Sequence, residues 1–213
     1  MTAERPIVII GSGGHARVII DACGRSGQRV AGVLAPTDAG GAEAPYLGDD
    51  TLMNDARFMA AHQFIIGLGD MRLRRRIGDD LKRRAVAAAT VIHPSAVIGS
   101  RVRWGEGLLV CAGAVINPDV VLGCHAVINT RASIDHNCLL GDHVFVAPGV
   151  TLSGGVHCGD DVLIGAGACT RPNVRIGSRV TIGAGAVLIS DIDDDCMAVG
   201  VPARQMPRSD VAS

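Results

Sequence analysis

An α/β domain followed by a parallel β-helix of hexapeptide repeats is the fold class this sequence predicts, on three observations. Apolar residues recur with a period of six from Ile92 to Leu188 without one slip of register. Aromatics make up only 2 % of the 213 residues while 28 are Gly, so packing must rest on small and aliphatic side chains in a narrow architecture. Before residue 90 the pattern changes, and short apolar runs alternate with helical stretches, as in a small parallel sheet flanked by helices.

The elements follow in order. Pro6–Ile10 (PIVII) reads as a buried strand, and GSGGH leads into a helix through ARVIIDACGRSG. Arg29–Ala35 reads as a second strand, followed by a loop with Gly40, Gly41 and Pro45. A short helix is expected near Leu52–Ala61, a third strand at Phe64–Leu68 and a helix over Met71–Ala88. These make a Rossmann-like α/β domain over residues 1–90. The β-helix is expected over 91–190 and a C-terminal tail over 191–213.

Every sixth residue from Ile92 forms one series: Ile98, Trp104, Val110, Ile116, Leu122 and onward to Leu188. Only Trp104, Cys158 and Thr170 in it are not aliphatic. Four places after each member lies a second series, from Ala96 to Ala186, that is apolar throughout and mostly small. Neither a helix nor an alternating strand has a period of six. A coil of short strands joined by tight turns does, with the large aliphatic inward and the small residue filling the corner. Each inward aliphatic contributes about 1.5–3 kcal/mol before chain entropy is subtracted. Stacked coils share that burial, so no coil is stable alone.

Net charge is −1, and the most basic stretch, Arg72 to Arg84, is interrupted by Asp79 and Asp80. It reads as a solvated helix face rather than a nucleic-acid surface. The first residues have too few apolar positions for a secretory segment, and nothing approaches the roughly 20 apolar residues of a membrane span. The seven cysteines lack CxxC spacing, so reduced thiols in a cytoplasmic protein are expected.

GSGGH follows a strand and opens a helix, where backbone N–H groups can cradle phosphate. It is not the full GxGxxG pattern, and no acidic residue ends the second strand, so a nicotinamide dinucleotide is not expected. Three hexapeptides per coil place residues 18 apart in register at about 4.8 Å. His136 therefore lies directly under Gly154.

Four stretches resemble a known family: IVIIGSGGHARVIIDA, INTRASIDHNCLLGDHVFVAPGVTLSGGV, the hexapeptides around them, and GVPAR near the end. The sequence is similar to bacterial sugar acetyltransferases of the sialic-acid O-acetyltransferase type. Within that group it resembles the N-acetyltransferases of nucleotide-linked 4-amino-4,6-dideoxy sugars, such as GDP-perosamine or a UDP-linked amino sugar. The resemblance implies a left-handed β-helix, a homotrimer, and acetyl-CoA lying between neighbouring β-helices. It implies that a nucleotide-linked sugar enters from the α/β domain of the same or a neighbouring subunit.

The resemblance makes His136 the general base and gives Gly154 a backbone N–H for the thioester carbonyl. The chemistry needs both. A sugar ammonium must lose a proton before it attacks, and an imidazole, ordinarily near pKa 6.5, can take it. Attack builds an oxyanion that a fixed N–H stabilises. Asn137 stands where the family has an acidic residue orienting this histidine, and Phe145 stands where it has a further histidine. Asp135 is the nearest carboxylate. Asn129 matches a family asparagine, which can hold the ring, the substrate or only its own turn.

For CoA the resemblance indicates Gly154, Ala166, Thr170, Arg171 and Ala184, with Arg204 near its phosphates. For the nucleotide sugar it indicates Gly13, Gly14 and His15, with Gly69 and Asp70 of the GLGD loop. Cys138 and Cys158 fall at inward positions and read as core, which favours direct transfer over an acyl-enzyme. His125 and His143 are 18 apart, but the spacing of five that a β-helical zinc site uses is missing, so no metal is expected. Two other functions fit the same fold: O-acetylation of a free sugar, and a non-catalytic scaffold that binds a nucleotide sugar.

Overall fold

The computed structural model describes residues 5–38 and 43–207. By compactness the chain forms two units. One runs to Pro94 and takes in Glu106–Leu108, and the other comprises Ser95–Gly105 and the chain from Leu109 on.

The first unit is a parallel α/β layer. Strands β1 (Ile7–Ile10), β2 (Val30–Leu34), β3 (Tyr46–Gly48) and β4 (Gln63–Ile66) lie in the order β3-β2-β1-β4. All three pairings are parallel, and this is the order with which doubly wound nucleotide-binding sheets begin. Helix α1 (Gly14–Ser26) follows β1. Gly27, in the left-handed conformation at φ 75°, ends it as glycine readily does. Val8, Ile10, Leu34, Phe64 and Ile66 form a core with Met53, Met59 and Leu81.

Three expectations need correction here. The short helix near Leu52–Ala61 is two pieces, a 3-10 turn at Asp50–Asn54 and helix α2 at Ala56–Ala61. Asp55 divides them, because its side chain accepts the N–H groups of Arg57 and Phe58 as an N-cap. Helix α3 spans Met71–Arg83 rather than running to Ala88. The chain turns out at Ala85, φ 51°, and extends beside β4, with Phe64 N–H on Ala87 O and Ala89 N–H on Phe64 O. Strand β3 was not anticipated. It is three residues long, and its approach is set by Gly32, where a Cβ would lie 2.4 Å from Pro45 O. The expected loop residues Gly40 and Gly41 lie outside the described residues.

The second unit is the β-helix. Two-residue strands repeat every six residues from Val97–Ile98 to Val187–Leu188. Up to Cys169–Thr170 each pairs in parallel with the strand 18 residues on, as Leu139 with His157 and Leu140 with Cys158, and at the C-terminal end the offset shortens to 16, as Thr181 with Met197. The strands stack into three sheets. The inward series is buried almost throughout, and so is the small corner series. Ile92 and Ile98 at the start of the inward series are half-buried, and Trp104 is exposed at 41 %, because its strand ends its sheet and no strand stacks beneath it.

The expected tail is in fact a cap as far as residue 207. Cys196–Gly200 continues one sheet in parallel from Thr181–Ile182, then turns back antiparallel as Ala203–Pro207. Gln205 bonds Asp193 through both ends of its amide. Residues 208–213 lie outside the described residues. No helix among the described residues is long and apolar enough to cross a membrane.

Candidate active site

Each coil of the β-helix has three corners, and the corner after the strand Ser133–Ile134 carries His136. Its column, at intervals of 18, reads Pro118, His136, Gly154, Pro172. The next column reads Asp119, Asn137, Gly155, Asn173, all left-handed, with φ 64°, 60°, 69° and 59°. Asn, Asp and Gly are the residues that adopt this conformation most readily. The turn so formed sends the His136 side chain outward, where it is exposed.

The imidazole lies against Gly154. A Cβ on Gly154 would meet His136 Cε1 at 2.7 Å and Nε2 at 2.8 Å, so only glycine leaves the ring its place. On the other side of the ring, His136 Nδ1 is 2.9 Å from Asn137 Oδ1. An amide oxygen can only accept, so Nδ1 carries the hydrogen and Nε2 keeps its lone pair. Asn137 therefore fixes the tautomer that a base needs, although it brings no charge. Asp135 does not touch the ring. Its Oδ1 accepts the backbone N–H of His136 at 2.8 Å and Asn117 Nδ2 at 2.9 Å. Those bonds, the backbone one first, hold its carboxyl below the usual range. Asp119, one coil below Asn137, is paired through both oxygens to Arg101, and those bonds hold it below the usual range too.

The backbone N–H groups of this column differ one from the next. Pro118 and Pro172 have none, and His136 gives its own to Asp135. The N–H of Gly154 has no acceptor among the described residues. One column thus places a free donor directly over an imidazole with an available nitrogen, the pair that acyl transfer requires.

The other expected residues divide. Ala166 and Ala184 stack on a different corner, exposed, and their N–H groups also have no acceptor among the described residues. They fit a wall that an amide-rich ligand such as the arm of CoA can line. Arg171 is exposed, but its guanidinium bonds the carbonyls of Ile189 and Pro172. Arg204 lies exposed on the closing hairpin, on a strand partner of Val199. Thr170 belongs inside. It is 7 % exposed, and its hydroxyl accepts the N–H of Ser153, so it offers no surface side chain to a cofactor. Asn129 closes its own turn, accepting from Thr130 N–H at 2.8 Å, and has no bond to His136. Phe145 is buried. Cys138 and Cys158 are buried, and burial pushes both thiols up, away from the thiolate a nucleophile needs. The rings of His125 and His143 stack 5.0 Å apart. No group of three metal-binding side chains converges among the described residues.

In the α/β unit the chain runs from β1 outward through β2 and β3 on one side and returns to place β4 on the other side of β1, which makes the ends of β1 and β4 the topological switch point where such sheets take ligands. Gly11, at φ 119°, lies so near Gly67 O that a Cβ would come within 2.8 Å. Gly13 and Gly14 open onto free space, as does Gly69. Helix α1 begins at this point with no side-chain cap and no acidic residue in its first turn, an arrangement suited to an anion. Helix α3 does not. Asp70 Oδ1 accepts Leu73 N–H at 2.8 Å, which makes Asp70 the N-cap of α3.

Sequence reasoning missed Arg74, which it placed on a solvated face. Arg74 is 1 % exposed, and its Nη1 donates to Ile66 O at 2.9 Å and Leu68 O at 3.0 Å, holding the GLGD loop. The available signal was its spacing with Gly78 and Leu81, the other buried residues of α3. Burial, helped by the Arg74 charge, lowers His15 to about 4, so His15 is neutral near pH 7.

Comparison with known proteins places both units in described families. Residues 6–81 match the family described as the PglD N-terminal domain, and residues 155–190 match the bacterial transferase hexapeptide family of six repeats. A histidine-to-asparagine mutant of perosamine N-acetyltransferase from Caulobacter crescentus, solved with CoA and GDP-perosamine, is 38 % identical with a TM-score of 0.89. That match covers 94 % of this chain and 96 % of the other. The acetyltransferase domain of PglB from Neisseria gonorrhoeae is 32 % identical over 95 % of this chain and 100 % of its own, again at TM-score 0.89. UDP-N-acetylbacillosamine N-acetyltransferase of Bacillus subtilis is 35 % identical over 111 residues. The match spans 50 % of this chain and about half, 51 %, of that curated relative.

Proposed function

This chain belongs to the family of nucleotide-linked amino-sugar N-acetyltransferases, and we propose that it moves the acetyl group of acetyl-CoA directly onto the 4-amino group of a nucleotide-linked dideoxy sugar. The observation that carries the reading is the free N–H of Gly154 above an imidazole whose Nε2 is available.

In this mechanism the sugar amine attacks the thioester carbonyl, and His136 Nε2 takes the proton it sheds. The C–N bond forms, and the oxyanion is held by Gly154 N–H. The C–S bond then breaks, and the imidazolium returns its proton to the departing CoA sulfur. The products are the acetamido sugar and CoA thiol, with no acyl-enzyme. The uncapped start of α1, with Gly13, Gly14 and neutral His15, takes the diphosphate. The backbone of Ala166 and Ala184 takes the arm of CoA. A homotrimer and a cytoplasmic setting go with the family pattern.

A GDP-perosamine-like acceptor is favoured by the similarity over 94 % of the chain to an enzyme solved with that sugar. The test is CoA release, followed with a thiol dye, across GDP- and UDP-linked 4-amino sugars and free sialic acid. Turnover is expected with a nucleotide-linked amine. Turnover with sialic acid alone would replace N- by O-acetylation, CoA binding without turnover on any of these would call for a different acceptor, and no CoA binding would leave a scaffold.

A further inference from the structure

We infer that Asp135, braced by Asn117 from the coil below, is the positioning residue that supplies the negative charge Asn137 lacks. The inference rests on His136 acting as the base. Asn137 orients the ring but is neutral, so it cannot offset the positive charge that the imidazolium carries while it holds the substrate proton. Two carboxylates belong to the turn of His136: Asp135, whose oxygen accepts its backbone N–H, and Asp119, one coil below Asn137. Asp119 is bound at 2.6 and 2.7 Å to Arg101 and also feels Arg103, so its charge is largely cancelled. Asp135 meets no cation of that kind. Its bonds come from neutral donors, a backbone N–H and an amide, which keep it ionised without cancelling it.

The geometry gives Asp135 a second task. One oxygen receives both the His136 N–H and the Asn117 amide. The turn that aims the imidazole is thus tied to a side chain 18 residues earlier, in the coil beneath. A family carboxylate beside the ring is replaced here by a carboxylate one residue before it, acting through the backbone and through its field. Charge and alignment come from one side chain, and the ring's own contact comes from another.

Two substitutions separate the tasks. Asp135→Asn keeps an acceptor for both donors and removes the charge. Asn117→Ala keeps the charge and removes the brace. In the intact protein Asp135→Asn is expected to lower kcat roughly tenfold. It should leave KM for both substrates within about twofold and move the acidic limb of the kcat profile to lower pH. Asp135→Glu should restore the limb in part. Asn117→Ala is expected to lower kcat less, with the limb unmoved. A merely structural Asp135 would lower Tm and shift no limb. A wild-type profile in Asp135→Asn, with His136→Asn inactive in parallel, overturns the inference and leaves the base intact. An active His136→Asn instead removes the base, and the inference with it.

Discussion

Two corners of the same β-helix, built on the same repeat, spend their backbone donors in opposite ways. On one corner a chain of side chains accepts them: Cys124 N–H bonds Asp142 Oδ1, Asp142 N–H bonds Asp160 Oδ1, Asp160 N–H bonds Ser178 Oγ, and Ser178 N–H bonds Asp194 Oδ1. Each is satisfied from the coil above, at 2.7 to 3.1 Å. On the corner of His136 there is no such chain. Two prolines remove the donor, Asp135 takes another, and Gly154 keeps one unused. A repeat fold reaches the same backbone shape either way. What separates a sealed corner from a reactive one is whether the residue one coil up can reach down to the N–H. Asp and Ser can, and Pro172, above Gly154, cannot.

Three experiments can break or sharpen this contrast. The largest effect belongs to His136→Ala, expected to lower kcat by about 100- to 10,000-fold with unfolding unchanged. Activity within a few-fold of wild type would end the assignment. Gly154→Ala comes next. The methyl must push the ring, which lies 2.7–2.8 Å from where it would sit, and separate Nδ1 from Asn137. A displacement of that size costs on the order of 100-fold in turnover, with CoA binding measured by calorimetry falling much less. Full turnover would mean the ring does not work from this position. The smallest effect is in the sealed corner. Asp160→Ala strands the Asp142 N–H, at a cost of about 1–2 kcal/mol seen as a lower Tm, while kcat stays at wild type. A loss of turnover there would show that the two corners are not independent.

The sequence carries most of this, for a reason of scale. A six-residue period repeated from Ile92 to Leu188 fixes which residues stack, so the contact of His136 with Gly154 is arithmetic. What it does not carry is anything set by one side chain's direction. The register says that Asn137 lies beside His136, not that its amide oxygen turns to Nδ1. Thr170 sits in the inward series, and only its side chain's direction shows that the hydroxyl takes Ser153 N–H instead of facing a cofactor. The place of Asp70 just before a helix marks a cap, and the sequence alone does not tell a cap from a ligand contact. Arg74 was hidden because arginine is so seldom buried that its neighbours Arg72, Arg75 and Arg76 set the expectation. In the α/β unit, strand β3 is too short to leave an alternation, and only its partners reveal it.

The spacing of 18 also has a bearing on how the chain assembles. Every inter-coil pairing closes a loop of 18 residues, or of 16 at the C-terminal end, so the entropy of closure is about the same at each step and never grows with the size of the helix. Such a structure can begin at any coil and lengthen by one coil at a time, each new turn laid on a template already formed. Growth of that kind has no natural stopping point, because the last coil always presents an unpaired strand edge to the next chain that arrives. The closing hairpin, which adds Cys196–Gly200 in parallel and then reverses at Ala203–Pro207, supplies the stop: it ends propagation on a strand running the wrong way for another coil.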